Sequence, residues 1–177
     1  MLRSERVYLR RLERTDLERT WTWMHRPDIY EKIGVQVPFS TSQQSVWFEN
    51  MERTENKLVF AVCLCENDEH VGNVSLDMID QRHRNARLSV FIADPAQRGH
   101  GIGSEALRLL VKYAFDFLNL HKVWCKANAA DQRVLQFYER AGFRKEGTLV
   151  EHEFHEGKYI DKCVFGIIRQ VPGAKQQ

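Results

Sequence analysis

The sequence lacks a long apolar segment and any concentration of charge of one sign. No stretch of about 18 apolar residues is present, so the chain is not expected to span a membrane, and Met1 to Arg6 contains no apolar segment of signal-peptide length. The 26 basic and 24 acidic residues are interspersed, whereas nucleic-acid-binding proteins usually concentrate lysine and arginine in a stripe. We interpret the short basic segment from Arg82 to Arg87 as a solvated turn. We therefore expect a cytoplasmic protein that binds neither membranes nor nucleic acid.

The four cysteines have none of the spacings that are typical of zinc sites. Cys63 and Cys65 are not accompanied by a second pair at a suitable distance. Cys125 and Cys163 lie in apolar runs, where a cysteine usually behaves as a small hydrophobic residue. We therefore expect reduced cysteines and no bound metal.

Length and composition predict one globular domain. At 177 residues and 20.9 kDa the chain is long enough for one sizeable core and too short for two domains of ordinary size. Apolar residues make up 43% of the chain and charged residues 28%, close to globular averages. We expect one domain over residues 1–170, followed by a flexible tail at residues 171–177.

Two capping sequences predict helices in the first half of the chain. Thr15-Asp16-Leu17-Glu18 predicts a helix that ends near His25, and Ser40-Thr41-Ser42-Gln43 predicts a second one. The stretch from Pro27 to Phe39 is predicted to be an irregular loop, and because long ordered loops are often functional, we place substrate selection there. Apolar patterning predicts strands at Val7–Leu12, Lys57–Cys65, His70–Met78 and Ala86–Ala93.

Helices and strands alternate after Asp94. Apolar residues at helical spacing predict two helices, and β-type apolar runs predict three further strands. This order predicts a mixed sheet flanked by helices. The helices are expected at about Gly101–Leu118 and Asp131–Ala141, and the strands at about His121–Lys126, Arg144–Glu153 and Tyr159–Ile168.

A glycine-rich turn carries the strongest chemical signal in the sequence. The segment Gln97-Arg98-Gly99-His100-Gly101-Ile102-Gly103-Ser104 places three glycines between a strand and an amphipathic helix. Glycine lets a ligand approach the backbone N–H groups without a Cβ in the way, and the positive end of a helix favours an anion. The turn therefore predicts a pyrophosphate site.

Two familiar phosphate motifs do not fit this turn. A Walker loop requires a lysine before its final serine or threonine, but Ser104 directly follows Gly103. A dinucleotide fingerprint requires G-x-G-x-x-G and an acidic residue on the next strand, and His121–Lys126 has no acidic residue. On these residues alone, a glycine-rich helix entry without a ligand also stays open.

The turn resembles the R-G-x-G-x-G/A acetyl-CoA loop of the GNAT N-acetyltransferase superfamily. A second segment, Val134–Phe143, resembles the apolar helix of that family that carries a tyrosine and closes on Gly-Phe. Asn119–Val123 and Glu151–Ile168 resemble the branch that contains spermidine acetyltransferases and ribosomal-protein N-terminal acetyltransferases. The resemblance extends over nearly the whole chain. It implies a single α/β (α+β) domain with a mixed, mostly antiparallel twisted sheet of about seven strands, flanked by about four helices.

The resemblance implies an enzyme in which a primary amine directly attacks the thioester of acetyl-CoA, without a metal. The turn would hold the pyrophosphate, and the strand before it would pair with the pantetheine arm and stabilise the oxyanion through an amide near Phe91 or Ile92. Tyr138 would be the catalytic residue that protonates the leaving thiolate, since its ordinary pKa of about 10 keeps it protonated. The expected cofactor-binding residues are Phe91, Ile92, Ala93, Arg98, Gly99, His100, Gly101, Ile102, Gly103, Ser104, Asp131 and Arg133.

The general base is left open by the resemblance. The family often has Glu where Arg87 stands, so the commonest base is absent. It also often has Asn where Asp131 stands, at an expected cofactor contact. The spermidine branch has an acidic, aromatic loop that is not evident within Ile33 to Phe39. The candidate bases on or beside the central strands and on a later strand are Asp77, Asp80, His83, Ser89, Glu151 and Glu153.

The acceptor could be a protein N-terminus, a polyamine or another small amine. Deprotonating an amine of pKa about 10.4 at pH 7 costs roughly 4 to 5 kcal/mol, whereas an α-amine of pKa about 8 costs only about 1 to 1.5 kcal/mol. The absence of an evident base therefore favours a peptide N-terminus or a small, weakly basic amine. A non-catalytic acyl-CoA-binding regulatory module is the alternative, and four tryptophans and ten phenylalanines are compatible with a homodimer.

Overall fold

The chain folds into helices and strands that a computed structural model describes for residues 2–33, 39–155 and 157–170. Within these residues the α-helices are α1 (Leu17–Met24), α2 (Pro27–Ile33), α3 (Thr41–Arg53), α4 (Ile102–Asp116) and α5 (Gln132–Arg140). The strands are β1 (Leu2–Arg3), β2 (Val7–Arg11), β3 (Leu58–Leu64), β4 (His70–Asp80), β5 (Asn85–Ile92), β6 (Lys122–Asn128), β7 (Arg144–His155) and β8 (Lys158–Ile168).

The described strands form one eight-stranded sheet in the order β1-β2-β3-β4-β5-β6-β8-β7. Strands β5 and β6 pair in parallel, whereas β1–β2, β2–β3, β3–β4, β6–β8 and β7–β8 pair antiparallel. The prediction of a mixed, mostly antiparallel sheet is therefore confirmed. The strand beyond the expected seven is β1, whose two residues are too few to show a hydrophobic period.

Contacts divide the chain into two compact units. The first comprises Met1–Asp77 and Ser89–Leu110, and the second comprises Met78–Leu88 and Val111–Gln177. The glycine-rich turn belongs to the first unit and Tyr138 to the second. Strands β4 and β5 and helix α4 each contribute residues to both units.

The core of the first unit lies between β3 and the helices α1 and α3. Helix α3 begins as its capping box predicts, because Ser40 Oγ accepts a hydrogen bond from the Gln43 amide at 3.1 Å and Gln43 Oε1 accepts one from the Ser40 amide at 2.7 Å. Its buried face then packs apolar side chains against α1 and β3. The buried cluster consists of Leu12, Leu17, Phe48, Met51, Val59, Ala61 and Cys63.

The start of α1 differs from the prediction. Thr15 does not cap the helix; it lies in a single 3-10 turn, Arg14–Asp16, and α1 begins at Leu17. Asp16 closes that turn by accepting a hydrogen bond from the Glu13 amide at 2.9 Å. The carboxylate of Asp16 also binds both Nη atoms of Arg10, at 2.7 and 2.8 Å. A charge-assisted, bidentate pair outweighs the weaker cap that a threonine could offer.

Helix α2 replaces the first part of the predicted loop from Pro27 to Phe39. Pro27 is the first helical residue, a position that needs no N–H donor and suits the fixed φ of proline. The amides of Ile29 and Tyr30 both donate to the Arg26 carbonyl, at 2.9 and 3.0 Å. Ile29 is buried, which ties the helix to the core. The prediction of an irregular loop is therefore wrong for residues 27–33.

The second unit is built on β6, β8 and α5. Buried apolar residues of the two strands, such as Val123 and Phe165, form its core with the α5 side chain of Tyr138. The β7–β8 pairing is irregular between Leu149 and Glu153, where Asp161 Oδ1 accepts a hydrogen bond from the Glu151 amide at 2.8 Å. A bulge of this kind re-aims the side chains of the bulged strand.

None of the described helices is long and apolar enough to cross a membrane. The flexible tail expected at residues 171–177 lies outside the described residues. So do residues 34–38, which make up most of the segment in which an acidic, aromatic loop is not evident from the sequence.

Candidate functional site

The glycine-rich turn follows the end of β5 through one 3-10 turn, Pro95–Gln97. Asp94 begins that turn by accepting a hydrogen bond from the Ala96 amide at 2.9 Å. The backbone then takes left-handed φ angles of +82° at Gly99 and +84° at Gly101, before α4 starts at Ile102. Left-handed residues at two of the three positions before a helix favour a concave backbone that suits an anion. This is the local structure that the glycine spacing predicts.

The side chain of Arg98 turns back toward β5. Its Nε donates to the Ile92 carbonyl at 2.8 Å and its Nη2 donates to the Ala93 carbonyl at 3.1 Å. The same Nη2 lies 2.7 Å from Asp28 Oδ2. The guanidinium therefore fixes the turn to the end of the strand, and the groups of the turn best suited to hold an anion are its backbone amides.

An ion pair from the β1–β2 region holds the start of α4. Glu105 accepts hydrogen bonds from Ser4 Oγ at 2.8 Å and from Arg6 Nε at 2.6 Å, and Arg6 Nη1 donates to the His100 carbonyl at 2.6 Å. Burial raises the pKa of Glu105, but the hydrogen bonds from Ser4 and Arg6 outweigh this effect and leave the pKa lowered. Because Arg6 neutralises Glu105, the carboxylate does not oppose an anion at the turn.

The strand residues expected to contact the cofactor already use part of their backbone. The Ala93 amide donates to the Val71 carbonyl at 2.8 Å, and the carbonyls of Ile92 and Ala93 accept from Arg98. A pantetheine contact to those groups would have to displace these bonds. The close approach to β4 requires Gly72, since a Cβ there would lie 2.3 Å from the Phe91 carbonyl oxygen.

Aromatic rings link α1 to this strand. Trp23 contacts Phe91 edge-on, with ring centroids 6.3 Å apart, and contacts His70 in the same manner at 4.7 Å. His70 Nε2 lies 2.7 Å from Asn73 Oδ1, while His70 Nδ1 lies 3.3 Å from Asp16 Oδ1. Burial is the main cause of the lowered pKa of His70. Phe91 is therefore contacted by the ring of Trp23, which in turn packs against the neutral imidazole of His70.

Tyr138 lies in the second unit, within an apolar cage on α5. It is buried, and its ring packs against Phe137, Phe143 and Phe165 with centroids 5.2, 5.6 and 5.9 Å apart. The Cys125 thiol of β6 lies near its hydroxyl. Burial, with smaller effects from Cys125, raises the pKa of Tyr138 well above its ordinary value, and burial raises the pKa of Cys125 to about 12.

Asp131 and Arg133 stand at the start of the same helix. Asp131 is the N-cap of α5, and its side chain accepts a hydrogen bond from the Val134 amide at 3.2 Å. An aspartate satisfies this amide as well as the asparagine that is common in the family. Arg133 is exposed. Their predicted contacts with the cofactor remain predictions.

The candidate bases include two carboxylates that are held by neighbouring side chains. Asp80 Oδ2 lies 2.8 Å from His83 Nδ1, and hydrogen bonds from His83 lower its pKa. Glu153 Oε2 lies 2.6 Å from Lys162 Nζ. Burial raises the pKa of Glu153, but the contact with Lys162 outweighs this effect and leaves the pKa lowered. Ser89 and Glu151 are exposed.

Every described carboxyl group whose pKa departs clearly from its ordinary value has a lowered pKa. Each of these groups is stabilised as a carboxylate by cations or hydrogen-bond donors, which makes it a weaker base. The groups are Asp16, Asp28, Asp80, Glu105, Asp116 and Glu153.

Among the residues with described positions, no three His, Cys, Asp or Glu side chains are grouped so that they could hold a metal ion.

Several residues at the site were not identified from the sequence. They are Arg6, Trp23, Asp28, Glu105 and Cys125, which reach the turn, the strand or Tyr138 from distant parts of the chain. A sequence pattern reports neighbours at a fixed spacing, and none of these contacts has one.

Comparison with known proteins identifies similar chains. A family model described as an acetyltransferase (GNAT) domain matches residues 6–144. The uncharacterized N-acetyltransferase p20 of Bacillus licheniformis is 26% identical over 175 residues, which are 96% of this chain and 96% of that protein. The putative ribosomal N-acetyltransferase YdaF of Bacillus subtilis is 28% identical over 123 residues, covering 70% of this chain and 63% of that protein.

A solved structure matches almost the whole chain. It is the spermidine N-acetyltransferase from Vibrio cholerae in complex with CoA and spermine, with a TM-score of 0.88 and 26% sequence identity. The match covers 93% of this chain and 96% of that one. The fold and the family resemblance read from the two motifs are therefore confirmed.

The two left-handed glycines of the turn allow a matched test. In Gly101→Ala, the φ of +84° is strained and the new Cβ would lie 2.8 Å from Arg6 Nη2, whereas in Gly99→Ala the φ of +82° is strained but the Cβ contacts nothing within 4 Å. Since Arg6 holds the His100 carbonyl, we expect Gly101→Ala to weaken acetyl-CoA binding roughly tenfold, and Gly99→Ala to weaken it less. Titration calorimetry measures both dissociation constants.

Gly157→Ala is the control, because Gly157 has the same φ of +82° and open space around its Cβ, but lies in the β7–β8 turn. It should lower stability without changing acetyl-CoA affinity. Equal weakening by Gly157→Ala, or wild-type affinity in Gly101→Ala, would contradict this assignment of the turn.

Proposed function

Because this chain belongs to the GNAT acetyltransferase family and is an acetyl-CoA-dependent N-acetyltransferase, we propose that it acetylates a weakly basic primary amine, such as a peptide N-terminus. The amine attacks the thioester directly. Multiple N-acetyltransferase relatives favour this enzyme over a non-catalytic acyl-CoA-binding module. The observation that carries the choice of acceptor is the pairing of the carboxylates near the proposed cofactor strand.

Acetyl-CoA supplies the activated acetyl group, and residues of the turn would hold its pyrophosphate. The backbone amides from Gly99 to Ser104 and the positive end of α4 provide the donors. Arg98 and Arg6 contribute by fixing the turn to β5 and to the start of α4. The backbone at Phe91 and Ile92 would then orient the thioester and donate to its oxygen as negative charge develops.

Tyr138 would protonate the leaving thiolate. At an ordinary thiol pKa of about 8.5, proton transfer from a tyrosine of raised pKa would be unfavourable. Burial, however, raises the pKa of the neighbouring Cys125 thiol to about 12, and a CoA thiolate that entered similar surroundings would be affected in the same direction. The pKa of the tyrosine and the pKa of the thiol would then both be raised. The difference between them, which opposes the transfer, would be smaller, and a buried tyrosine would be a suitable proton donor.

The carboxylates linked to the cofactor strand favour a weakly basic acceptor. Asp16, which contacts His70 beneath Trp23, is bound by Arg10. Asp28, which contacts Arg98, is bound by two arginines. A polyamine needs carboxylates for its several positive charges and a base for an amine of pKa about 10.4, whereas an α-amine of pKa about 8 loses its proton to water at little cost.

Acetylation of a polyamine is the second candidate, and the spermidine N-acetyltransferase from Vibrio cholerae favours it. That structure matches this chain along almost its full length. The two candidates differ in how many positive charges the acceptor carries and in the pKa of its reacting nitrogen.

We also propose that two copies of the chain associate through the β7–β8 hairpin. Its support is the edge position of β7 and the exposed rings of Phe154 and Tyr159, which contact each other edge to face. Exposed aromatic pairs are enriched at protein interfaces.

A cytoplasmic location stays a prediction; its support is that all four cysteines are free thiols, as expected in a reducing compartment.

Replacement of Tyr138 by Phe tests its role as the acid. The ring packing survives in Tyr138→Phe while the hydroxyl is lost, so we expect kcat to fall by about a hundredfold with an unchanged dissociation constant for acetyl-CoA. Steady-state thiol release and calorimetry measure the two quantities. Tyr8→Phe, which removes a hydroxyl on β2 that donates to Asp68 at 3.1 Å, is the control and should behave as the wild type. A kcat within about twofold of wild type in Tyr138→Phe would remove Tyr138 from the mechanism.

The pH dependence of acetyl transfer tests the acceptor class. The probes are two peptides of one sequence, one with a free N-terminus and no lysine and one with a blocked N-terminus and a single lysine, together with spermidine and spermine. With the free N-terminus, kcat/KM should rise with pH and level off near about 8, the pKa of the amine. At pH 7 this peptide should be the best acceptor. If spermidine or spermine reacts faster at pH 7, the proposed acceptor class is wrong and the second candidate replaces it.

A further inference from the structure

Arg98 joins three parts of the first unit. Its Nε binds the carbonyl of Ile92, the last residue of β5, and its Nη2 binds that of the next residue, Ala93. Its backbone opens the glycine-rich turn, and its Nη2 also contacts Asp28 at the start of α2. Its side chain is 29% exposed and that of Asp28 is 40% exposed. The contact is therefore partly screened, but both partners are also held by other bonds that restrict them.

Asp28 is shared between two guanidinium groups. Its Oδ1 accepts from Arg26 Nε at 3.0 Å and its Oδ2 accepts from Arg26 Nη2 at 2.9 Å, while Arg98 approaches Oδ2 from the turn. The hydrogen bond from Arg26, followed by that from Arg98, lowers the pKa of Asp28 although burial opposes the shift. The carboxylate is thus charged at neutral pH. It has one partner next to it in the sequence and one on the proposed cofactor turn.

Helix α2, which carries Asp28, directly follows the helix that contacts the proposed cofactor strand. Trp23, near the end of α1, contacts Phe91, and α2 follows after His25 and Arg26. Asp28 at the start of α2 lies 2.7 Å from Arg98 Nη2, and Arg98 Nε binds the carbonyl of Ile92 at the end of β5. An acceptor that reaches a thioester on β5 would therefore come close to the start of α2.

We propose that Asp28 is a positioning residue that couples acetyl-CoA binding at the turn to the stability of α2, and through α2 to acceptor binding. The proposal rests on the cofactor site described above. When a pyrophosphate orders the turn, Arg98 becomes less mobile, and the Asp28 contact passes that restraint to α2. Coupling of this kind is reciprocal, so an ordered α2 also favours cofactor binding.

The expected size of the effect is modest. Exposed ion pairs contribute little, and this one is only partly shielded from solvent. We expect the loss of the Asp28 charge to raise the acceptor KM by about three- to fivefold. Because the coupling is reciprocal, the acetyl-CoA dissociation constant should rise by no more than the same factor. The value of kcat should stay within about twofold of the wild type, because Arg98 keeps its bonds to Ile92 and Ala93.

Hydrogen exchange of backbone amides tests the coupling without turnover. In the wild type, saturating acetyl-CoA should slow exchange both in the turn and at the α2 amides of Ile29 and Tyr30, which donate to the Arg26 carbonyl. In Asp28→Asn, acetyl-CoA should still protect the turn but no longer protect α2. Asp28→Glu keeps the charge and should restore part of the α2 protection.

Arg26→Gln is the matched control, since it removes the local partner of Asp28 and leaves the contact with Arg98. It should keep the acetyl-CoA-dependent protection of α2. The proposal is overturned if acetyl-CoA protects the turn but not α2 in the wild type, or if it protects α2 equally in Asp28→Asn. If acetyl-CoA protects neither region in the wild type, the assignment of the cofactor site itself is wrong.

Discussion

The bonds from the Arg98 guanidinium to the end of β5 fix the place where the glycine-rich turn begins. Two carbonyls, those of Ile92 and Ala93, accept these bonds. Because the strand end and the turn are held together, the left-handed residues Gly99 and Gly101 present their amides at a defined distance from the strand. An arginine suits this role because its planar guanidinium presents several N–H donors in a fixed fork, whereas a lysine presents a compact ammonium on a flexible stem.

Ion pairs between arginines and carboxylates also lie near the proposed cofactor strand. Arginines bind Asp16 and Asp28, and Arg6 binds Glu105. These pairs hold the first unit together, but a carboxylate stabilised in its charged form is a weak base. Under the proposed function, an enzyme with this arrangement would be suited to an amine that is partly deprotonated before it arrives. The pairing that stabilises the site would then also restrict the acceptors that it can use.

Local features of the site could be predicted from the sequence, whereas contacts between distant residues could not. The turn, the tyrosine-bearing helix and the Ser40 cap each lie within a few residues, so their spacing shows them. The contacts of Arg6 with Glu105 and of Asp28 with Arg98 join segments far apart in the chain. Two local predictions were also wrong: Asp16, not Thr15, organises the start of α1, and Pro27 begins a helix. At α1, the carboxylate of Asp16 binds Arg10 and no threonine cap forms. At α2, Pro27 takes the first helical position, which proline tolerates.

The most direct test of the central claim is to find which nitrogen receives the acetyl group. A peptide that carries one free N-terminus and one lysine is incubated with acetyl-CoA and the enzyme at pH 7, in the presence of an equal concentration of spermidine, and all products are analysed by tandem mass spectrometry. We predict acetylation at the α-nitrogen of the peptide. Acetylation of spermidine or of the lysine Nζ with an unmodified N-terminus would contradict the account.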